Sequence, residues 1–212
     1  MRYLSKRAEL EVRGYDLTLE YVNLGNELCE LTGTSGKVKL MQGNALIFAN
    51  PEELDPSQKT ELNSYDAVYT IHVGMNIENK LAFFKSAFNL LKEPKGRFAI
   101  YDICSKINKS ENVNELLQFP LPWTSDKRAS FVEHKDIYLA HLETVGFRVL
   151  EAFYDEDLTF AMFSAARKKA LEEGKVLISP INHNAKEAFF NYASMVLDRT
   201  ILCPAFILCE KK

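Results

Sequence analysis

The sequence predicts an α/β fold built around a mainly parallel β-sheet. Between Glu9 and Asp102, short runs typical of strands alternate with segments that carry a helical apolar stripe. The run Tyr65–Ile71 is strongly apolar, as strands buried in parallel sheets are. Hydrophobic residues make up 47% and charged residues 26% of the 212 residues, which is usual for a globular protein. We therefore expect a single domain spanning 1–212.

The first half of the chain reads as an ordered series of elements. Glu9–Asp16 alternates and predicts a strand, and Leu17–Leu31 carries apolar residues at helical spacing, so it predicts an amphipathic helix. Val38–Asn44 predicts the next strand, which ends in a Gly-Asn turn. Asn50–Ser64 is acidic and contains prolines, so we expect a polar connection with one helical turn there.

The second half continues the alternation after Tyr65–Ile71. The predicted helices are Ile77–Lys92, His134–Val145, Leu158–Glu173 and Ala185–Leu197. The predicted strands are Arg97–Asp102, Phe147–Tyr154 and Ile201–Glu210. Pro204 within the last strand favours a sheet edge or a bulge. The polar and then proline-rich segment Ser105–Ser130 interrupts a sheet that resumes afterwards, so we interpret it as an active-site cover.

Charge and cysteine content narrow the functional classes. A net charge of −3 without a basic stripe argues against a nucleic-acid partner. The four cysteines have neither metal-ligand spacing nor the density of a disulfide framework, so we expect reduced thiols and no metal site. No apolar run approaches the roughly 20 residues that span a bilayer, and no signal-peptide pattern opens the chain. We expect a cytoplasmic protein without a membrane partner.

Two residues at predicted strand ends are candidate nucleoside ligands. Asp16 closes the first strand, and a carboxylate in that position can accept hydrogen bonds from both hydroxyls of a ribose. Asp is also favoured as a helix N-cap, which is the alternative role. Asn44 follows the next strand and is either an adenine contact or a turn residue. Only fifteen residues precede Asp16, and they contain no glycine-rich turn.

Further candidate site residues stand at or after the ends of later predicted strands and in the cover. Tyr101 and Asp102 end a strand at the sheet edge where open α/β sheets bind ligands. His72 is either an acceptor-site residue or a partly buried structural histidine, and Asn76 either faces the acceptor or caps the following helix. Trp123 either fills core beneath the cover or presents an aromatic face to a cationic amine.

Four segments together resemble the successive motifs of class I S-adenosylmethionine-dependent methyltransferases. They are Gly14–Thr18, Gln42–Leu46, Tyr65–Ile77 and Leu90–Arg97. The resemblance runs through nearly the whole chain. Within that superfamily, His72–Ile77 and Pro120–Trp123 resemble the branch of sarcosine/dimethylglycine N-methyltransferases and their small-molecule relatives.

The resemblance implies a Rossmann-like sheet with an antiparallel last strand, helices on both faces and S-adenosyl-L-methionine as cofactor. Asp16 and Leu17 match the ribose-binding position, and Asn44 with Ala45 matches the adenine position. Thr70 and His72 match the loop that passes the methionine end of the cofactor. The acceptor side is implied to contain Asn76, Trp123, Tyr101 and Asp102.

The chain departs from this family at its beginning. The family's first strand and glycine-rich loop have no counterpart, and Arg2–Ala8 resembles the end of the helix that follows that loop. That strand pairs on both sides in the family. We therefore expect another segment or molecule to fill the gap, the flanking strands to pair directly, or poor solubility. We also expect weak cofactor binding, because only glycines let backbone groups approach the methionine moiety so closely.

The function implied is methyl transfer to a small-molecule acceptor, for example an amine nitrogen. His72, Tyr101 or Asp102 would accept the proton or position the lone pair. The alternative is a catalytically inactive methyltransferase-like module that binds proteins, and self-association into a homo-oligomer also remains open. A nicotinamide oxidoreductase is disfavoured, because no second catalytic domain follows the sheet and Gly43–Ala45 fits methyltransferases better.

Overall fold

The computed structural model describes residues 1–107, 113–173 and 183–212 and shows the α/β fold that the sequence predicts. The helices are α1 Arg2–Ala8, α2 Leu19–Leu31, α3 Pro56–Lys59, α4 Lys80–Leu90, α5 Lys135–Val145, α6 Glu156–Glu173 and α7 His183–Asp198. The strands are β1 Val12–Asp16, β2 Val38–Gln42, β3 Ala67–Ile71, β4 Arg97–Ser105, β5 Phe147–Tyr154 and β6 Leu202–Lys211. The helical turn expected in the connection after β2 is α3.

The strands form two separate sheets. β1 and β2 pair in parallel, and the other strands form a four-stranded sheet in the order β3-β4-β6-β5. β3 and β4 are parallel, whereas β6 runs antiparallel to both of its neighbours. The antiparallel last strand that the resemblance implied is therefore confirmed.

Within the described residues, β1 and β3 each have one unpaired edge. The flanking strands have thus not closed the expected gap by pairing with each other. Instead, side chains connect the two sheets. Tyr69 of β3 packs against the small apolar cluster of Val12, Cys29 and Val38, and the Arg13 guanidinium of β1 pairs with Glu61, which lies before β3. The Tyr69 hydroxyl is buried in this contact and has no hydrogen-bond partner in the described part of the chain.

Helices cover both faces of the four-stranded sheet, as the resemblance implied. Because side chains alternate along a strand, neighbouring residues of β4 belong to opposite layers. Phe98, Ile100 and Cys104 pack against α4 and α5 in the main core. Ile103 points the other way and packs against α7 and the cover. The site described below lies on this second side.

The expectation that Pro204 marks a sheet edge or a bulge is wrong. The strand β6 lies between β4 and β5, and its pairing with β4 is regular at Pro204. Its carbonyl accepts a hydrogen bond from the Asp155 amide at 2.8 Å, just beyond the end of β5. The nitrogen and the carbonyl of a strand residue face the same neighbouring strand, so the Pro204 nitrogen also faces the β5 side. At this point β5 has already ended, so the missing N–H removes no hydrogen bond between β5 and β6. An interior strand therefore tolerates the proline.

The packed face of α2 is not its most apolar stripe. Val22, Gly25 and Cys29 are buried, and a Cβ at Gly25 would lie 2.7 Å from the Leu40 side chain of β2. The stripe that the helical spacing predicts contributes the exposed side chains Tyr21, Leu24 and Leu31. Among the described residues, no helix combines the length and apolar character needed to cross a membrane.

Candidate functional site

A cavity of about 340 Å³ lies where β3 and β4 end, on the α7 side of the sheet. It is lined by His72, Met75, Asn76, Ile103, Pro122, Trp123 and Tyr192. Parallel strands of open α/β sheets place their ligands at this carboxyl edge. The structure therefore brings together three of the residues selected from the sequence, namely His72, Asn76 and Trp123.

His72 directly follows β3 and has a φ of 54°, which is uncommon for a residue other than glycine. Its amide donates to the Tyr101 carbonyl at 2.8 Å, and its ring stacks on the Tyr101 ring at 5.6 Å between centroids. The surrounding protein lowers the pKa of His72 by desolvating the charged form. The imidazole is therefore neutral at pH 7, which is the form that accepts a proton.

Tyr101 supports His72 rather than lining the cavity itself. Its hydroxyl donates to Asp155 at 3.0 Å, beyond the end of β5. Burial raises the pKa of Tyr101, so the phenol keeps its proton. The stacked ring and the backbone hydrogen bond together fix the position of the imidazole.

Asp102 departs from the expectation that it faces the acceptor. It lies on the face of β4 opposite Ile103, is only 1% exposed, and accepts hydrogen bonds from the Tyr138 hydroxyl at 2.9 Å and the Ile103 amide at 3.0 Å. Burial raises the pKa of Asp102 to about 6. Strand alternation explains the correction, since two consecutive residues cannot both point to one face.

Asn76 is not the cap of the helix that follows it. That helix, α4, begins at Lys80, and Asn79 caps it by accepting a hydrogen bond from the Ala82 amide at 2.9 Å. Asn76 instead ends a single helical turn, Gly74–Asn76, and its side chain is exposed at the cavity. Within the described part of the chain its carboxamide has no hydrogen-bond partner, so it can hydrogen-bond a molecule in the cavity.

The cover is a folded segment over the cavity. β4 extends to Ser105, residues 108–112 lie outside the described part, and the segment from Val113 onward packs with α7. Leu121 and Thr124 exchange backbone hydrogen bonds of 2.8 and 3.1 Å, which closes a tight turn around Trp123. The indole packs edge-on against Tyr192 at 5.8 Å and donates to the Ser130 hydroxyl at 3.3 Å.

Asp16 and Asn44 meet at the carboxyl end of the β1-β2 pair, where the Gly43 amide donates to the Asp16 carbonyl at 2.9 Å. One Asp16 carboxylate oxygen accepts from the Thr18 amide at 2.8 Å, and Thr18 rather than Asp16 is the N-cap of α2. The Asn44 side-chain oxygen accepts from the Leu46 amide at 2.9 Å, as in an Asx turn. Leu17 is 68% exposed beside them.

The remaining candidates for cofactor binding are Ala45 and Thr70. Ala45 is partly buried and packs against the main core. Thr70 is the penultimate residue of β3, paired with Ile100, and half-buried. Within the described residues, no three His, Cys, Asp or Glu side chains are grouped so that they could hold a metal ion.

Four residues that line the cavity were not selected from the sequence, namely Met75, Ile103, Pro122 and Tyr192. Met75 and Pro122 stand inside motifs that carry the family resemblance, so a signal for them existed. Ile103 looked like any core strand residue. Tyr192 belongs to a buried stripe of α7 with Ala188, Met195 and Val196, and nothing in that helical spacing indicates that the stripe faces a cavity.

No protein-family model and no curated protein sequence matches this chain. Several solved structures, however, match the fold of this chain. A protein from Galdieria sulphuraria, described as a proposed sarcosine dimethylglycine methyltransferase, superposes with a TM-score of 0.76 at 19% identity, over 100% of this chain and 73% of that one. The fold is that of the class I S-adenosylmethionine-dependent methyltransferases.

Two further solved structures resemble this chain and are named for different reactions. Phosphoethanolamine N-methyltransferase 2 from Haemonchus contortus, solved with S-adenosyl-L-methionine, has a TM-score of 0.75 at 16% identity, over 99% of this chain and 45% of that one. The [4+2]-cyclase SpnF has a TM-score of 0.66 at 14% identity, over 95% of this chain and 66% of that one. The fold of this chain is therefore shared by proteins that are named for different reactions.

Proposed function

We propose that this chain uses S-adenosyl-L-methionine to methylate a small amine held in the cavity beneath Trp123. The observation that supports this most directly is the composition of the cavity on a methyltransferase fold. It combines a neutral imidazole, an available carboxamide and an aromatic wall at the carboxyl ends of β3 and β4. An amine fits this set because its nitrogen must lose a proton and be oriented by a hydrogen bond, and its cationic form is attracted to an aromatic face.

The nucleoside half of the cofactor fits the residues at the end of the β1-β2 pair. Asp16 Oδ1 is occupied by the Thr18 amide, and within the described residues Oδ2 has no hydrogen-bond partner, so it can accept from a ribose hydroxyl. Leu17 offers an exposed apolar side chain to the adenine ring, with Asn44 and Ala45 beside it. Thr70 and His72 are the residues that we assign to the methionine end.

The protein's contribution to the reaction is placement and proton handling. When bound, S-adenosyl-L-methionine supplies a methyl group on a cationic sulfur, so no protein nucleophile is required. His72 takes a proton from the acceptor amine, Asn76 orients the acceptor, and Trp123 with Tyr192 excludes water. Tyr101 acts through the stacked His72 ring.

A labelled-methyl transfer assay on residues 1–212 with a series of small amines tests the proposal. We expect Trp123→Ala to raise the acceptor KM while the cofactor Kd stays within about twofold, because the indole lines the acceptor cavity only. Phe190→Ala is the matched control, since Phe190 is an exposed aromatic residue of α7 that does not line the cavity. Equal effects of both substitutions would contradict the acceptor site.

The second candidate is a methyltransferase-like interaction module. Two observations favour it: β1 and β3 each keep an unpaired edge within the described residues, and α2 exposes Tyr21, Leu24 and Leu31. Calorimetric titration with S-adenosyl-L-methionine separates the candidates. Saturable binding together with methyl transfer supports the enzyme, whereas neither binding nor transfer by the folded protein supports the module.

A further inference from the structure

Lys80, the first residue of α4, is buried although lysine is rarely found without solvent contact. Its side chain is only 1% exposed, and burial lowers the pKa of its ammonium group, while Glu133 and Asp102 act in the opposite direction. An ammonium group in such a place must be compensated by hydrogen bonds and opposite charges. The partners of Lys80 therefore indicate what the residue does.

The ammonium group of Lys80 joins two segments that are distant in sequence. It donates to the Ile77 carbonyl at 2.5 Å and to the Phe131 carbonyl at 2.7 Å. Ile77 ends the loop that contributes Met75 and Asn76 to the cavity, and Phe131 directly follows the cover. The Phe131 amide also donates to the Met75 carbonyl at 2.9 Å. The same junction thus holds the cavity loop and the end of the cover.

Buried groups beneath this junction leave the loop little freedom. A Cβ at Gly74 would lie 2.1 Å from the Asp102 carboxylate and 2.5 Å from the Tyr138 hydroxyl. The Lys80 ammonium lies 5.6 Å from the centroid of the Tyr138 ring. The loop therefore packs against Asp102 and Tyr138 at Gly74, and Lys80 binds the carbonyl of its last residue, Ile77.

A short path connects the junction to Trp123. Ser130 precedes Phe131, its hydroxyl accepts from the Trp123 indole at 3.3 Å, and its carbonyl accepts from the Asn114 side-chain Nδ2 at 2.8 Å. A displacement of Phe131 therefore moves the hydroxyl that orients the indole.

We propose that Lys80 is a positioning residue that fixes the cover to the cavity loop and thereby sets the place of Trp123 over the cavity. Its consequence for acceptor binding rests on the proposed function. The mechanical link between Lys80 and Trp123 does not, because it depends only on the contacts described above.

The single tryptophan of the chain makes the link measurable without activity. In Lys80→Met, whose unbranched side chain is one atom shorter and cannot donate, we expect Trp123 emission to shift to longer wavelength and acrylamide quenching to increase at unchanged far-UV circular dichroism. Lys85→Met, the same substitution at an exposed residue of α4, should leave emission and quenching as in the wild type. If methyl transfer is detected, Lys80→Met should raise the acceptor KM about tenfold without changing the cofactor Kd.

A folded Lys80→Met with wild-type emission and quenching would overturn the proposal, even if its melting temperature were lower. Should that variant not fold, hydrogen exchange of the wild-type protein decides. The link requires residues 74–77 and 130–132 to open together at one rate, and independent opening would overturn it. Absence of methyl transfer by the wild type would reject the proposed function and leave the fluorescence result to decide the role of Lys80.

Discussion

His72 combines an unusual backbone conformation with a cavity position. Left-handed backbone costs an L-residue roughly 1–2 kcal/mol relative to glycine, and such conformations often occur at functional sites. The φ of 54° is maintained by the amide hydrogen bond to Tyr101 and by the ring stacked on it. The unusual backbone geometry and the proposed proton acceptance thus belong to the same residue.

The lowered pKa of His72 predicts a direction of pH dependence. Below about 6.5, the ordinary value, the unfolded chain binds a proton that the folded protein binds more weakly, so stability falls as the pH decreases through this window. We expect His72→Gln to reduce this loss and, if His72 is the proton acceptor, to remove the acid limb of kcat/KM. Urea unfolding and rate profiles between pH 5 and 8 measure both. An unchanged acid limb in the variant would reject the proton-acceptor role.

The raised pKa of Asp102 predicts that the free energy of unfolding changes with pH in the opposite direction. Its pKa is raised to about 6, so the folded protein binds its proton more tightly than the unfolded chain, and stability falls as the pH rises from about 4 to 6. The difference corresponds to about 3 kcal/mol between the ends of the window. Asp102→Asn keeps an oxygen for the Tyr138 hydroxyl and should remove this slope. Parallel stability curves for variant and wild type between pH 4 and 7 would show that the carboxylate is not desolvated.

At the scale of elements, the single turn Gly74–Asn76 leaves no space for a side chain at Gly74. Gly74→Ala places a Cβ against the Asp102 carboxylate and the Tyr138 hydroxyl, two buried groups that cannot easily move. We expect a loss of about 1–3 kcal/mol or more in the free energy of unfolding. Gly36→Ala is the control, because its Cβ would meet nothing within 4 Å. Equal stability of the two variants would mean that the turn can shift.

The cover has a fixed place although its helices between Val113 and Ser130 are only the single turns Val113–Glu115 and Lys127–Ala129. Its proline-rich part is tied to α7 by the Asn191 side chain, which donates to the Pro120 carbonyl at 3.1 Å. Its other end is tied to the cavity loop through Phe131. Both connections are long-range in sequence, so the local pattern identified a cover but not its anchors.

For the whole molecule, the division into two sheets has a dynamic consequence. A two-stranded sheet is marginally stable alone, and in the described residues side chains link β1-β2 to the part around β3 through the apolar cluster with Tyr69 and the Arg13–Glu61 pair. We expect amides of β1 and β2 to exchange with solvent at a lower opening free energy than those of β4 and β6. Hydrogen exchange detected by mass spectrometry measures this directly. Uniform protection across both sheets would show that the two parts unfold as one unit.

Binding of S-adenosyl-L-methionine should narrow the difference in opening free energy between the two sheets, because the proposed nucleoside-binding residues lie at the end of β1-β2 and the proposed acceptor cavity lies at the end of β3-β4. A ligand that contacts both parts stabilises the form in which they are together. Slower exchange in β1 and β2 at saturating cofactor is the expected result. Exchange unaffected by the cofactor would place its binding elsewhere or exclude it.

The amino-acid sequence alone determined the class of fold, the order of the elements and the strand ends at which the candidate residues stand. These follow from local periodicity and from turn residues such as Gly146, which ends α5 at a φ of 116°. It also brought His72, Asn76 and Trp123 forward as site residues, because strand ends and aromatic covers are recognisable locally.

Only the tertiary structure decided which side chains share the cavity. Asp102 turned to the buried face because strand alternation assigns neighbours to opposite layers, and the sequence does not indicate which layer is the site. Tyr192 joined the cavity from a distant helix, and Pro204 proved compatible with an interior strand because β5 ends beside it. The split into two sheets likewise depends on pairing between distant segments. Local patterns determine which conformation a segment adopts, whereas contacts between remote segments determine what its side chains meet.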